Sequence, residues 1–203
     1  RDNGIKIISH GEAVGLFMSG ELFDRKFEGI SVSGSHGKTT ISGMIACVLV
    51  KLNMDPSFAV GTSEIFPIGA AGHFGHGKYF VSEADEYLTE AKFDRTPKFL
   101  YQHPKYLIIN NIDFDHPDFF RDIEEVKEAY GKFVSQLSED ALLIVNGDDP
   151  QLAFIGQKMN GNVYFFGLND KKLFLKEEQH ATDSIYCPNC GNKLEFSGIY
   201  FSH

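Results

Sequence analysis

The chain has no tryptophan and only three cysteines in 203 residues. Three thiols in a chain of that length do not make a disulfide framework, so a reducing, cytoplasmic setting is the expectation. No apolar run approaches the roughly 18 residues that a membrane-spanning helix requires. No charged and then apolar leader opens the sequence. Basic charge is scarce: 19 Lys and Arg against 28 Asp and Glu leave a net charge of −9. That balance argues against general binding to nucleic acid or to an anionic membrane surface. Internal repeats and low-complexity tracts are also missing. The first residue is Arg1, not Met, as expected of a piece of a longer protein.

What is present is an alternation of strand-like and helix-like segments. A short strand Lys6–Ser9 and a helix-like stretch around Ala13–Met18 form a lead-in. "GISVSG" reads as a strand. Ile41, Met44, Ile45, Val48, Leu49 and Leu52 then recur at helical spacing. "KYFVSEADE" is a short strand ending in acids, and "KYLIINNIDFDH" is a buried strand ending in polar residues. Asp122 to Leu137 is an amphipathic helix with Ile123, Val126, Tyr130, Phe133 and Leu137 inward. "ALLIVNGDD" is a strand entering a turn, where Asn146, Asp148 and Asp149 cap the next helix. "NVYFFG" is a further strand. The pattern predicts a doubly wound α/β fold with a mostly parallel sheet, followed by a small β-hairpin extension. The expected domains are a lead-in over 1–20, a central α/β domain over 21–168 and the extension over 169–203.

The strongest chemical signal is "GSHGKTT" between the first strand and its helix. Gly34 and Gly37 allow a tight turn with backbone N–H groups facing inward, and the helix start adds partial positive charge. Lys38 is placed to reach β- and γ-phosphate oxygens, and Thr39 to hold Mg²⁺. The strict phosphate-loop pattern needs a glycine at position 32, where this chain has Val32. The strand before and the helix after supply the required context.

Two other strand ends carry polar groups, and ligands of open parallel sheets sit beyond such ends. One ends in Glu83, Asp85 and Glu86; the other in Asn110, Asn111, Asp113, Asp115 and His116. Each alone reads as a solvated turn or a cap. Together, downstream of a phosphate loop, they suit a Mg²⁺ bridging to phosphate. His73 and His76 in "HFGHGKY" are read as a polar hairpin loop.

These motifs, "GSHGKTT", "EADE" and "DFDH", resemble the central ATP-binding domain of the Mur ligase family, over roughly residues 1–168. That family's loop reads like G-T-x-G-K-T-T, which accounts for Val32. "SEADEY", "FDRTPKF" and "NNIDFDHPDFF" look like the members that act on the carboxylate of UDP-N-acetylmuramate. The resemblance implies transfer of a phosphoryl group from ATP to a carboxylate, then attack by an amino acid or peptide amine to form an amide. It assigns Gly34, Ser35, His36, Gly37, Lys38, Thr39 and Thr40 to the phosphates. Lys38, Glu83 and His116 become the catalytic set, with Thr39, Glu83 and His116 holding Mg²⁺. The carbamylated lysine of several relatives falls near Tyr130, between Lys127 and Lys132. His36 is expected to point away from phosphate.

The C-terminal "YCPNCGNKL" holds Cys187 and Cys190, and C-P-x-C-G is half of a zinc knuckle. The segment resembles the zinc ribbon of the Mur-ligase-like subunit of lipid II isoglutaminyl synthase, which is an alternative reading of the chain. A third is a nucleotide- and zinc-binding interaction module without chemistry.

Overall fold

The structure is a computed structural model, and it describes residues 7–90, 92–115, 117–168 and 186–195. Among the described residues the first element is α1 (His10–Ser19). Residues 7–9 form no strand; Ser9 instead closes a capping box, its hydroxyl accepting from the Glu12 N–H while the Ser9 N–H donates to Glu12 Oε2 at 2.7 Å. A side chain that satisfies the free amides of a helix start favours ending the extended segment there. Lys6 lies outside the described residues.

The sheet is built from β1 (Glu28–Ser33), β2 (Ser57–Ile65), β3 (Gly69–His73), β4 (Tyr79–Glu83), β7 (Tyr106–Ile109), β8 (Leu142–Asn146) and β9 (Asn162–Phe166). A separate antiparallel ribbon pairs β5 (Leu88–Glu90) with β6 (Asp94–Pro97). The seven-stranded order is β3-β2-β4-β1-β7-β8-β9, parallel throughout except for β3 against β2 at one edge. β2 and β3 have no counterpart in the sequence reading: "SFAVGTSEI" is apolar only over Phe58–Val60 and at Ile65, and "GAAGH" has no large apolar side chain. β1 lies in the middle and is buried along most of its length, which is why it reads as a continuous run.

Helices cover both faces. On one, α3 (Ile123–Ser135) packs Val126, Tyr130 and Phe133 with Phe99, Leu107, Ile109, Leu143 and Leu152 of α4 (Pro150–Lys158). On the other, α2 (Lys38–Lys51) meets Ile30, Phe58, Val60 and Val81. α2 is helical as its spacing predicts, but the apolar stripe is not its buried face. Ser42, Gly43, Ala46 and Leu49 face the sheet, while Met44, Val48 and Leu52 are 63%, 56% and 58% exposed. Small side chains let the helix axis approach the strands closely. Asp122 and Asp149 cap α3 and α4, the second as the sequence indicates. Near the C-terminus, residues 186–195 carry an isolated antiparallel bridge between Tyr186 and Lys193.

Candidate functional site

Parallel pairing sets the ends of three strands side by side: Val32 is in register with Glu83 of β4, and Ser33 with Ile109 of β7. The loop leaving β1 therefore emerges between the "EADE" and "NNIDFD" segments. Gly34 and Gly37 both adopt positive φ, +134° and +81°. A Cβ at either would come within 3.1 Å of Asn111 backbone or the Asn110 amide, so the loop needs glycine for conformation and for space.

The neighbouring strand end clamps this loop. Asn111 accepts from the His36 N–H at 2.8 Å through its side chain and from the Ser35 N–H at 3.2 Å through its backbone carbonyl. Asn110 Nδ2 donates to the His36 carbonyl at 3.2 Å. The Ser35 hydroxyl accepts from the Asp113 N–H and donates to its carbonyl. These two asparagines look like ligands in the sequence, yet here they shape the loop. The His36 ring turns toward Asp115, with Nδ1 3.9 Å from its carboxylate. His116 lies outside the described residues.

Helix α2 starts differently from its neighbours. α1, α3 and α4 each carry a side-chain cap, whereas Gly37 provides none and the first turn of α2 contains no acid. Uncapped N–H groups at a helix start attract an anion, with the macrodipole adding to that pull. Lys38 lies on that first turn. Its ammonium donates to Gly34 and Ser35 carbonyls at 2.7 and 3.2 Å and pairs with Glu86 Oε2 at 2.9 Å. A positive lysine at an open helix start and a following hydroxyl at Thr39 are the donor set that a Mg²⁺–polyphosphate requires.

The three acids of "SEADE" separate. Glu83 accepts from the Gly61 N–H at 2.8 Å. Asp85 pairs with Lys98 at 3.0 Å. Glu86 is buried beside Lys38; burial raises its carboxyl above the usual range, while the Lys38 charge acts in the opposite direction. Behind them sits Gln102, which sequence reasoning missed. It accepts from the Ser31 and Ser82 hydroxyls and donates to the Glu83 carbonyl at 2.8 Å. A lone glutamine in an apolar "FLYQHP" stretch is its only sequence signal. Between α1, the middle of β2 and the end of β4 lies a cavity of about 410 Å³, lined by His10, Thr62, Glu83, Asp85, Lys98 and Gln102 among others.

Tyr130, the position expected for a lysine in some relatives, is fully buried against Phe99. Its hydroxyl makes no hydrogen bond of good geometry, with Ser33 and the Gly34 backbone nearby. Burial, reinforced by Glu86, holds its proton on well above the ordinary range. Lys127 pairs with Glu124 at 2.6 Å across one turn of α3.

Away from this end, His73 and His76 both bond Asp55, at 3.2 and 3.0 Å, and tie the segment between β3 and β4 to the chain before β2. In the C-terminal piece, Gly191 N–H donates to the Cys187 carbonyl at 2.8 Å, with Gly191 at φ +72°. N–H groups of Cys190 and Asn189 lower the Cys187 thiol. Among the described residues no group of three or more His, Cys, Asp and Glu side chains forms a metal cluster. No helix among them is long and apolar enough to cross a membrane.

The chain is similar to known proteins in sequence and in fold. The model of the Mur ligase middle domain matches residues 32–198. The UDP-N-acetylmuramate–L-alanine ligase of Aquifex aeolicus is 37% identical over 182 residues, covering 87% of this chain and 37% of that enzyme. The enzyme of the same name from Acetivibrio thermocellus is 36% identical, covering 78% of this chain and 32% of its own length. The chain thus spans about a third of the length of these curated relatives. Among solved structures, the UDP-N-acetylmuramate:L-alanyl-γ-D-glutamyl-meso-diaminopimelate ligase of Neisseria meningitides superposes with a TM-score of 0.68 at 27% identity, over 81% of this chain and 52% of that one. The family match begins at Val32 and runs through the glycine loop, the "EADE" tip and the asparagine clamp, so this chain belongs to the Mur ligase family and contains its middle domain.

Proposed function

We propose that the chain is the ATP-binding domain of a cytoplasmic, ATP-dependent ligase of peptidoglycan synthesis. Its substrates in the whole enzyme are UDP-N-acetylmuramate and an amino acid or peptide amine. Residues 21–168 form that domain, 1–20 lead into it and 169–203 extend it. The observation that carries the reading is Lys38 on the uncapped first turn of α2, reaching Glu86 beyond the end of β4.

Gly34 to Thr40 bind the phosphates in this reading, and Lys38 offsets charge on the β and γ groups. Thr39, Glu83 and His116 hold Mg²⁺, which when bound neutralises phosphate charge and polarises the reacting oxygen. Glu83 is oriented for that role by the Gly61 N–H on its side chain and by Gln102 on its carbonyl. Catalysis is largely positioning and charge neutralisation of the transferred phosphoryl group, so rigid loop anchoring by Asn110 and Asn111 bears directly on rate. Tyr130 fills the space beside Ser33 and Gly34 with a neutral ring, and the reading places no carbamylated lysine there.

A second, separate reading concerns Cys187 and Cys190. The turn around them, with Gly191 in the left-handed region and N–H groups directed at the Cys187 sulfur, supports the two thiolates as Zn²⁺ ligands. The remaining ligands would come from outside the described residues. Zinc titration of the chain and of Cys187→Ser, read by displacement from a chromogenic chelator, tests it; identical behaviour of both proteins rejects zinc there.

The nucleotide reading is tested by equilibrium binding of MgATP against adenosine. Affinity carried by the phosphates supports it, and equal affinity for both overturns it.

A further inference from the structure

Among the described residues Glu86 is the buried carboxylate, with 2% of its surface exposed. It stands at the end of the β4 segment, and both of its oxygens lie near the Lys38 ammonium, at 3.1 and 2.9 Å. Lys38 itself is only 12% exposed at its side chain. An ammonium has three N–H donors. Here its partners are the Gly34 carbonyl, the Ser35 carbonyl and Glu86. No donor of Lys38 is left over for a phosphate oxygen.

Two of the three partners belong to the loop, which the Asn110 and Asn111 bonds fix. Glu86 alone reaches Lys38 from another element and alone carries charge. A polyphosphate on the α2 start would bring several negative charges close to this desolvated carboxylate, where repulsion is little screened. The contact that gives way is therefore the one to Glu86.

We propose that Glu86 is a positioning residue that holds Lys38 against its own loop, and that a polyphosphate binds by displacing the Glu86 carboxylate from Lys38. The proposal rests on the nucleotide reading above. It makes Glu86 a built-in competitor: an anion enters only if its interaction with the α2 start and Lys38 exceeds that of the carboxylate already there. Single-charge anions such as acetate are excluded by this competition, and polyphosphates are not.

The test is calorimetric titration of MgATP and of sodium tripolyphosphate into the 203-residue chain and its Glu86→Gln, Lys38→Met and doubly substituted forms. Glu86→Gln is expected to tighten tripolyphosphate binding at least fivefold, and the gain is expected to vanish when Lys38 is Met. Affinity unchanged or weakened by Glu86→Gln overturns the proposal, since a purely structural pair gives that result. If Gln at this position does not fold, Glu86→Asp, which keeps charge and shortens reach, is expected to tighten binding at least twofold. If neither wild type nor variant binds any polyphosphate, the nucleotide reading and the displacement both fall. Urea unfolding of the four proteins then decides the holding role: non-additive losses from the two single changes sustain it, and additive losses overturn it.

Discussion

The backbone N–H of Gly61 donates to Glu83 Oε1 at 2.8 Å, tying the carboxylate at the end of β4 to the adjacent strand β2. A Cβ on Gly61 would stand 3.1 and 3.3 Å from the two carboxylate oxygens. Gly61→Ala is therefore expected to turn the Glu83 carboxylate without unfolding the chain. Stability should stay within about 1 kcal/mol of wild type. On the proposal that Glu83 holds Mg²⁺, the Mg²⁺-dependent part of ATP affinity should fall roughly tenfold. Titrations with and without Mg²⁺ separate the two effects.

Tyr130 presents a different balance. Its hydroxyl is buried without a hydrogen bond of good geometry, while its ring packs against Phe99 and Phe133 lies in the same cluster. A buried polar atom left unpaired costs about 1–3 kcal/mol. Tyr130→Phe should leave stability unchanged or raise it by about 1 kcal/mol, whereas Tyr130→Ala should cost about 3–5 kcal/mol. Urea denaturation measures both, and a clear loss for Phe would show that the hydroxyl is held after all.

The orientation of α2 is open to a paired substitution. Met44 is exposed and Ala46 is fully buried two positions on. Met44→Lys should change stability by no more than about 0.5 kcal/mol. Ala46→Leu should cost about 1–3 kcal/mol through overpacking against the sheet. The reverse order would mean that the apolar stripe, not the small-residue face, is buried.

Acid stability has an identifiable contributor. Asp55 titrates at about 2 instead of 3.8, first because the His76 N–H bonds it and then because the His73 and His76 side chains do. Between those values the unfolded chain holds more protons, so this contribution is complete above pH 3.8 and is lost as pH falls to about 2. Asp55→Asn should flatten the thermal-melting profile across that window. A profile as steep as wild type's would assign the acid sensitivity elsewhere.

Where sequence and structure agree, a single physical signal dominates. The glycines of "GSHGKTT", the buried run of β7 and the 3.6-residue period of α3 each allow one local outcome. Asp149 likewise is legible as a cap because a proline follows it at the helix start. The failures have equally local causes. β2 and β3 carry small and polar residues, and β3 is an antiparallel edge strand whose pairing depends on a distant partner. Lys6–Ser9 is apolar enough for a strand, but residues 7–9 form none and the Ser9–Glu12 capping box opens a helix. The α2 stripe misleads because periodicity reports an apolar face, not which face meets the sheet. In the site, the "EADE" acids are visible as a group, but their separate partners, Gly61, Lys98 and Lys38, come from three other parts of the chain.

Everything proposed for the site depends on Lys38 meeting phosphate. The most direct measurement is calorimetric titration of MgATP into the wild-type chain and Lys38→Ala. Binding by wild type that weakens at least tenfold in the variant, about 1.4 kcal/mol, is the expected result. Equal affinity of a folded Lys38→Ala chain would contradict the account.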